Sequence, residues 1–236
     1  MAELLRNPSL LQKCRQELLQ TIGTQQTNPL KESDVHSLPY LQAIVKETLR
    51  LHPPVPLLLP YKARNDIELL DFTIPKDTRV LVNAWGIGRD AEYWDNPTSF
   101  VPERFLDCGV DYKGRDFEYI PFGAGRRICP GIPLATRMVH LMVGSIVQAF
   151  DWKLLEEMRS GELDMEEQFG VTLKKAVPLL AIYWNECQTK LKYVVNMSGK
   201  QQGRWQQENQ TTELKFGPIP ELRGTSSNKQ FIKGAV

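Results

Sequence analysis

Apolar residues near the start of the chain recur every three or four positions, the spacing that places side chains on one helix face. This pattern predicts an amphipathic helix over about residues 9–22 and a second helix over about residues 39–51. The polar stretch between them contains Pro29 and is predicted to be a loop. The two apolar stripes consist of Leu10, Leu11, Cys14, Leu18 and Leu19, and of Leu41, Ile44, Val45, Thr48 and Leu49.

A run of prolines follows the second predicted helix. Proline lacks an amide hydrogen and disfavours helical backbone in the residue before it, so this run predicts an extended segment. The prolines are Pro53, Pro54, Pro56 and Pro60. The apolar residues between them either line a pocket or pack in the core, and the sequence favours neither alternative. These residues are Val55, Leu57, Leu58 and Leu59.

Short strands are predicted in the middle of the chain, over residues 67–73 and 79–83. They are joined through Pro75 and Asp77, and we expect Asp71 to adopt a left-handed turn conformation, which aspartate tolerates. Residues 89–119 show little periodicity and are predicted to be rich in turns.

A long helix is predicted after Cys129, with an apolar face that reaches across a domain core. This face comprises Ala135, Met138, Val139, Met142, Ile146 and Phe150. Residues 171–173 and 179–184 are predicted to form a closing pair of strands. The chain is therefore predicted to be mainly α-helical with small β-sheets, an α+β fold.

The character of the chain changes after residue 184. Residues 185–236 hold 8 Lys and Arg against 4 Asp and Glu, a net charge of +4, whereas residues 1–184 have a net charge of −3. The tail is rich in Gln and Asn and shows no sustained hydrophobic period. This composition predicts one domain over residues 1–184 followed by a flexible extension over residues 185–236.

Composition and charge exclude several classes of protein. A chain of 236 residues with 42% apolar content can bury a core, and a formal net charge of +1 gives no basis for binding nucleic acid. The cysteines are widely spaced without a C-x-x-C pair, which argues against a zinc site and a disulfide scaffold. They are Cys14, Cys108, Cys129 and Cys187.

The histidines and the apolar runs give no further functional signal. The three histidines form no metal-ligand cluster, and we expect packing or surface roles for them. They are His36, His52 and His140. No apolar run reaches the ~18 residues of a membrane span, so we expect neither a spanning helix nor a secretory signal.

The glycine-rich stretch from Phe122 to Gly131 is the strongest candidate for chemistry. Glycines let the backbone bend and approach a ligand closely. Cys129 is expected at the N-cap of the following helix, with Pro130 in its first turn, where free amide hydrogens and the helix dipole favour a thiolate. The alternative for Cys129 alone is an ordinary buried thiol.

The spacing of this stretch matches Phe-x-x-Gly-x-Arg-x-Cys-x-Gly at five positions, which are Phe122, Gly125, Arg127, Cys129 and Gly131. This pattern resembles the haem-binding signature of the cytochrome P450 superfamily, in which a cysteine thiolate is the axial iron ligand. Two segments upstream resemble further elements of that family in the same order. They are Glu47-Thr-Leu-Arg50, similar to its Glu-x-x-Arg element, and Pro102-Glu-Arg-Phe105, similar to its Pro-Glu-Arg-Phe segment.

The resemblance assigns expected roles to these residues. Cys129 is the expected iron ligand, and Arg127 is the expected partner of a haem propionate. Tyr61 stands where many family members place Arg or His toward a propionate, and its hydroxyl can donate one hydrogen bond. Phe122, Gly125 and Gly131 are expected to shape the ligand loop. Three charged residues of the two upstream segments are expected to form a structural triad. The triad is Glu47, Arg50 and Arg104.

The resemblance also implies a fold, an activity and partners. The fold is the C-terminal part of the cytochrome P450 fold, and the cofactor is haem b. The plant-type microsomal enzymes of this family insert one oxygen atom from O2 into an apolar small molecule, such as a terpenoid or another secondary metabolite. Electrons come from NADPH through NADPH-cytochrome P450 reductase, and full-length relatives lie on the cytosolic face of the endoplasmic reticulum membrane. The expected walls of the substrate pocket are Val55, Leu57, Leu58 and Leu59 on one side, and Val171, Thr172 and Leu173 on the other.

The resemblance covers only residues 1–184, and family members are much longer. We expect the membrane anchor and the distal, proton-delivering helix to be missing from this chain, which would place it in the cytosol. A second hypothesis is therefore a non-catalytic truncated product, with or without haem. Without positioned proton donors and water exclusion, activated oxygen would be lost as peroxide.

Overall fold

The computed structural model describes residues 1–24, 28–155, 160–184, 193–196 and 200–204. Five α-helices are formed within these residues: α1 (Ala2–Arg6), α2 (Pro8–Thr21), α3 (Pro39–Leu51), α4 (Ala84–Ile87) and α5 (Ile132–Ala149). Short 3-10 helices occupy Glu32–Ser37, Pro102–Phe105, Gly125–Arg127 and Ser160–Glu162. The predicted helices over residues 9–22 and 39–51 correspond to α2 and α3.

The strands of the described residues form four small antiparallel sheets. The strands are β1 (Tyr61–Lys62), β2 (Ile67–Leu69), β3 (Phe72–Ile74), β4 (Arg79–Val80), β5 (Asp151–Leu154), β6 (Glu167–Gln168), β7 (Lys174–Lys175), β8 (Leu180–Trp184), β9 (Tyr193–Asn196) and β10 (Lys200–Arg204). Three sheets are pairs, β1 with β4, β2 with β3 and β6 with β7, and the fourth has the order β10-β9-β8-β5. Helices with small antiparallel sheets confirm the predicted α+β class.

The helices α2, α3 and α5 pack around one hydrophobic cluster that includes Leu18, Leu41 and Val147, all fully buried. Each such side chain contributes ~1.5–3 kcal/mol through burial. Gly144 of α5 makes the close packing possible, because a Cβ there would lie 2.4 Å from Leu30 Cδ2 and 3.0 Å from Leu41 Cδ2. Most of the stripe predicted on α2 therefore shares this core with Leu41 and Ile44 of α3. The other apolar members of the α3 stripe, Val45 and Leu49, pack in a second cluster.

The predicted strand over residues 67–73 is in fact a hairpin. β2 and β3 pair with each other from Ile67 opposite Ile74 to Leu69 opposite Phe72, and β4 pairs instead with β1. The left-handed residue of the tight turn is Leu70, with φ 53°, and not Asp71 as predicted. The prediction was wrong because the pattern of apolar and polar residues over 67–73 does not reveal the two-residue turn at residues 70 and 71.

The predicted closing pair of strands is also different. Residues 171–173 lie between β6 and β7 and form no strand, while β8 pairs with β5 from Leu154 opposite Ala181 to Asp151 opposite Trp184. One partner of β8 is thus the segment directly after α5. A short apolar run does not identify its partner strand, because the pairing depends on the path of the chain between the two strands.

The sequence predicts no regular structure after residue 184, whereas the structure places two strands there. β9 pairs with β8, and β10 pairs with β9, so the sheet continues past Trp184. The other residues of 185–236, including Cys187, lie outside the described part of the chain.

The apolar face predicted on helix α5 is not its most buried face. His140, Gly144, Val147 and Gln148 are buried, whereas Met138, Val139 and Met142 of the predicted face are 46%, 37% and 52% exposed. Contrary to our expectation, this helix is long and apolar enough to cross a membrane by length and composition alone, with 22% of it buried. That is weak evidence for a span, because core helices of soluble proteins meet the same criterion.

Candidate functional site

Glu47 and Arg50 lie one turn apart on α3 and form an ion pair whose side chains are completely buried. Arg50 donates from Nε to Glu47 Oε2 at 2.7 Å and from Nη2 to Oε1 at 2.8 Å. Arg104 Nε lies 3.2 Å from Glu47 Oε1, so the structure brings together the three residues of the predicted triad. A buried charge pair needs such complete hydrogen bonding to offset its desolvation.

The triad connects α3 to the irregular segment that follows α4. Arg50 also donates to the carbonyl oxygens of Gly88, Pro97 and Ser99, and Glu47 accepts from the Val101 amide at 2.8 Å. These bonds satisfy the guanidinium and fix a stretch of backbone that has little regular structure of its own.

Cys129 lies on the surface of a tight loop directly before α5. Its amide donates to the Phe122 carbonyl at 3.0 Å, which closes the loop. The helix itself begins at Ile132 with Gly131 as its N-cap and Pro133 in its first turn. The predicted N-cap position of Cys129 and first-turn position of Pro130 are therefore wrong, because a turn at residues 130 and 131 separates the cysteine from the helix.

Two glycines bend the loop as the sequence predicts. Gly123 and Gly125 have φ values of 77° and 67°, a conformation that side chains with a Cβ rarely adopt. A Cβ on Gly125 would meet no atom within 4 Å, and one on Gly131 would lie 3.5 Å from Cys129 Sγ. The requirement for glycine is thus conformational at Gly125, whereas Gly131 brings the backbone close to the sulfur.

Of the cysteines whose placement is described, Cys129 is the exposed one. Burial raises the pKa of Cys14 to about 12, so that thiol stays protonated at neutral pH. Cys108 is half-buried, and its sulfur accepts a hydrogen bond from the Val110 amide at 3.3 Å. Accessibility therefore favours Cys129 as a ligand to an external group.

Arg127 and Tyr61 meet although they are 66 positions apart in the sequence. The guanidinium carbon of Arg127 lies 5.4 Å from the centre of the Tyr61 ring, a cation–π contact that contributes ~0.5–1 kcal/mol at an exposed site. Tyr61 is half-buried in β1, and Arg127 is exposed at the end of a 3-10 turn in the cysteine loop. The two residues predicted to face an anionic group therefore occupy one location.

The two segments predicted to wall a pocket also meet. The Leu173 amide donates to the Pro54 carbonyl at 3.0 Å. Leu57, Leu59 and Val171 are exposed, which favours a surface role over core packing for these side chains. Thr172 is exposed as well, while the other three residues are half-buried. Those three are Val55, Leu58 and Leu173.

The proline-rich segment reaches the cysteine loop through Leu58. This residue has a left-handed backbone with φ 51°, and its Cδ1 atom lies 3.7 Å from the Cβ position of Gly123. One predicted pocket wall is thereby in contact with the loop that carries Cys129.

We expected His52 to have only a packing or surface role, and the sequence did not reveal the cluster of charged residues around it. Its imidazole lies between the carboxylates of Glu3 and Glu167, at 2.9 Å and 2.5 Å. Burial alone would lower the pKa of His52, but its hydrogen bonds to Glu3 and Glu167 raise the pKa above its ordinary value. These partners are 49 and 115 positions away, so no local motif marks them.

Comparison with known proteins gives one family. The sequence model of the Cytochrome P450 family matches residues 1–180. Over 182 residues the chain is 54% identical to geraniol 8-hydroxylase of Catharanthus roseus, and 54% identical to (S)-N-methylcoclaurine 3'-hydroxylase isozyme 1 of Papaver somniferum. These matches cover 77% of this chain and 36% and 37% of the two relatives, so the chain spans about a third of their length.

Solved structures give the same result. A zebra fish cytochrome P450 solved with abiraterone superposes with a TM-score of 0.69 at 34% sequence identity, covering 79% of this chain and 42% of that one. Because the family model covers most of the sequence, and the relatives share more than half of the matched residues, the chain belongs to the cytochrome P450 family.

Proposed function

We propose that this chain supplies the thiolate side of a haem-dependent monooxygenase, in which Cys129 would be the ligand to the iron. The observation that carries the proposal is the exposed Cys129 thiol in a glycine-bent loop that also holds Arg127 against Tyr61. Family membership implies haem, and the cysteine ligand and the haem b type are our assignments.

The residues present fit this cofactor. A haem needs one soft axial ligand, an apolar surface for its ring and cationic or hydroxyl donors for its propionates. Cys129 supplies the ligand, Arg127 and Tyr61 supply the donors, and Leu58 reaches the same loop. Phe122, the first residue of the loop stretch, packs against an aromatic cluster, with its ring 5.9 Å from that of Tyr112.

The bound haem would supply activation of dioxygen and transfer of one oxygen atom to substrate. The chain's own residues would hold and orient it: the Cys129 thiolate would ligate the iron, and the Arg127 guanidinium would neutralise a propionate. The triad of Glu47, Arg50 and Arg104 acts structurally, because its members are turned into the protein and bonded to backbone.

A substrate class, a redox partner and a location are further parts of the proposal. Two relatives are named as hydroxylases of geraniol and of N-methylcoclaurine, which favours a terpenoid or alkaloid-like apolar substrate here. The residues at 55–59 and 171–173 would contact it. We propose NADPH-cytochrome P450 reductase as the electron donor, docked on the Cys129 side, and the cytosolic face of the endoplasmic reticulum membrane as the location of the enzyme.

The carbon monoxide difference spectrum tests the ligand assignment. The chain is expressed with a haem supply, reduced and exposed to carbon monoxide, and we expect the strongly red-shifted Soret band of thiolate ligation. Cys129→Ser removes this band, whereas Cys108→Ser, a matched control at a half-buried thiol, retains it. No haem uptake, or a band typical of neutral-thiol or histidine ligation, contradicts the proposal.

A second candidate is a non-catalytic chain, with or without haem. The observation that favours it is the apolar surface left exposed on α5 and on the pocket segments, including Leu134, Leu59 and Val171. Water that reached a haem bound there would favour loss of oxygen as peroxide over transfer to substrate. With purified reductase and NADPH we expect peroxide and no oxidised geraniol, and any product formation overturns this candidate.

A further inference from the structure

His52 joins two segments that are far apart in the sequence. It caps the C-terminus of α3, and its Nε2 lies 2.9 Å from Glu3 Oε1 while its Nδ1 lies 2.5 Å from Glu167 Oε1. A neutral imidazole has a single N–H, so hydrogen bonds from both nitrogens to carboxylates require the protonated ring. The charged ring thereby bridges α1 and β6 from the end of α3.

Glu167 is held from a second direction as well. Its Oε2 accepts from Trp85 Nε1 at 2.7 Å, and the Arg89 guanidinium lies 3.5 Å from its Oε1. Arg89 also stacks on the Trp85 ring, 4.0 Å from its centre, and that ring meets Phe169 edge-on at 5.7 Å. The Glu167 side chain, 13% exposed, is therefore fixed by a cation, an indole and an imidazolium.

Both proposed pocket walls lie a few residues along the chain from this cluster. The proline-rich wall starts at Val55, three positions after His52, and the other wall starts at Val171, four positions after Glu167. The Trp85 amide donates to the Pro56 carbonyl at 3.0 Å, and the Leu173 amide donates to the Pro54 carbonyl at 3.0 Å. The Leu173–Pro54 bond thus joins the two segments, and Trp85, which also bonds to Glu167, holds the proline-rich segment at Pro56.

We propose that His52 and Glu167 are positioning residues that set the separation of the two pocket walls and so decide which substrates enter. The inference rests on the proposed function, because only there do these walls contact substrate. Neither residue is assigned a contact with substrate or haem. Misplacement by ~1 Å reduces turnover by ~100-fold in enzymes generally, so such an anchor has a direct route to specificity.

Hydrogen–deuterium exchange of the full chain tests the positioning role. Glu167→Gln keeps the shape of the side chain and removes its charge, and Trp85→Phe removes one hydrogen bond while keeping a ring against Phe169. Glu166→Gln is the matched control, because that neighbouring side chain is exposed. We expect the Leu173 amide to exchange about tenfold faster in Glu167→Gln and to a smaller extent in Trp85→Phe.

The pattern of exchange decides between positioning and general stability. The amide of Val147 in the core should keep its rate in both variants, and Glu166→Gln should match the wild type. Equal rates at Leu173 in all variants overturn the proposal. Uniform acceleration across the core in both Glu167→Gln and Trp85→Phe also overturns it, since that is the result of a merely structural role.

A ligand titration then tests specificity in the haem-loaded chain, with farnesol as a flexible apolar probe and naphthalene as a rigid one. We expect the ratio of the two dissociation constants to shift about fivefold in Glu167→Gln and to stay unchanged in Glu166→Gln, at equal haem content. An unchanged ratio with faster Leu173 exchange overturns the specificity role. Failure of the wild-type chain to take up haem contradicts the proposed function instead, and the exchange result still decides whether the cluster holds the walls.

Discussion

At the residue scale, the Glu47–Arg50 pair depends strongly on its hydrogen-bond partners, because both side chains are completely buried. Its charges lose their hydration, and the cost is offset only while every partner is present. The sequence indicated the pair by its spacing of three residues on a predicted helix. It did not show that both side chains are fully buried or that Arg50 bonds to three backbone carbonyls.

Arg50→Met should destabilise the chain by ~3–5 kcal/mol, because it leaves the Glu47 carboxylate buried with one remaining cation, Arg104. Urea unfolding followed by circular dichroism measures the change. Arg126→Met removes a cation from an exposed position and should alter the free energy of unfolding by less than ~0.5 kcal/mol. Similar losses in the two variants would contradict the importance of the buried pair.

The raised pKa of His52 makes stability depend on pH. Because the folded-state pKa lies above the unfolded value of ~6.5, the stabilisation is complete below that value and is lost as pH rises through the folded pKa. The charged groups around the ring are Glu3 and Glu167, with Arg89 bonded to the latter. We expect the free energy of unfolding to fall with pH above ~6.5.

His52→Gln provides the comparison for this pH effect. It removes the titrating group, so the difference in unfolding free energy between wild type and variant should shrink as pH rises. His36→Gln, at an exposed position in a 3-10 helix, should leave the wild-type pH profile intact. A constant difference between wild type and His52→Gln at every pH would contradict the assignment.

At the element scale, the end of α3 and the end of α4 approach so closely that only glycine fits. A Cβ on Gly88 would lie 2.4 Å from the Arg50 carbonyl oxygen, a backbone atom that has no rotamer to change. The backbone of Gly88 is itself helical, with φ −66°, so alanine is excluded there by contact and not by conformation.

Gly88→Ala should therefore destabilise the chain by ~1–3 kcal/mol through overpacking. Gly109→Ala is the matched control, since a Cβ there would have no atom within 4 Å. Thermal unfolding of the two variants and the wild type measures the effect. If Gly88→Ala lowers the stability no more than Gly109→Ala does, the backbones of α3 and α4 move apart at little cost to accept the Cβ.

Element boundaries show where sequence patterns have limited power. Long periodic segments such as α2 and α3 were predicted closely, because many positions report on one helix face. The hairpin of β2 and β3 and the partner of β8 were predicted wrongly, because a run of three to five residues does not reveal its turn or its partner.

At the scale of the whole molecule, α5 buries one face and exposes another. The exposed face is apolar along most of its length, and Leu134, Met138 and Met142 are its most exposed members. Apolar patches of this kind mark interaction sites or aggregation liabilities. The described residues thus combine an ordinary core with an uncovered apolar helix face.

Replacing Leu134, Met138 and Met142 with glutamine should lower the binding of the dye ANS and reduce aggregation on storage. The free energy of unfolding should change by less than ~1 kcal/mol, because exposed side chains contribute little to folding. Arg137→Gln, on the same helix, is the control for surface substitution and should leave ANS fluorescence unchanged. Unaltered ANS binding in the triple variant would show that this face is not the accessible apolar surface.

The sequence by itself determined the family and the candidate chemistry. The cysteine loop, the Glu–Arg spacing and the helix periodicities are local patterns, so the order of the residues is enough to recognise them. It predicted Cys129, Arg127 and Tyr61 as one site, and the structure places the last two in contact. Only the tertiary structure decided that Cys129 lies outside the helix N-cap and that His52 bridges Glu3 and Glu167. Such contacts depend on which distant segments the fold brings together, and a local pattern of side chains does not show this.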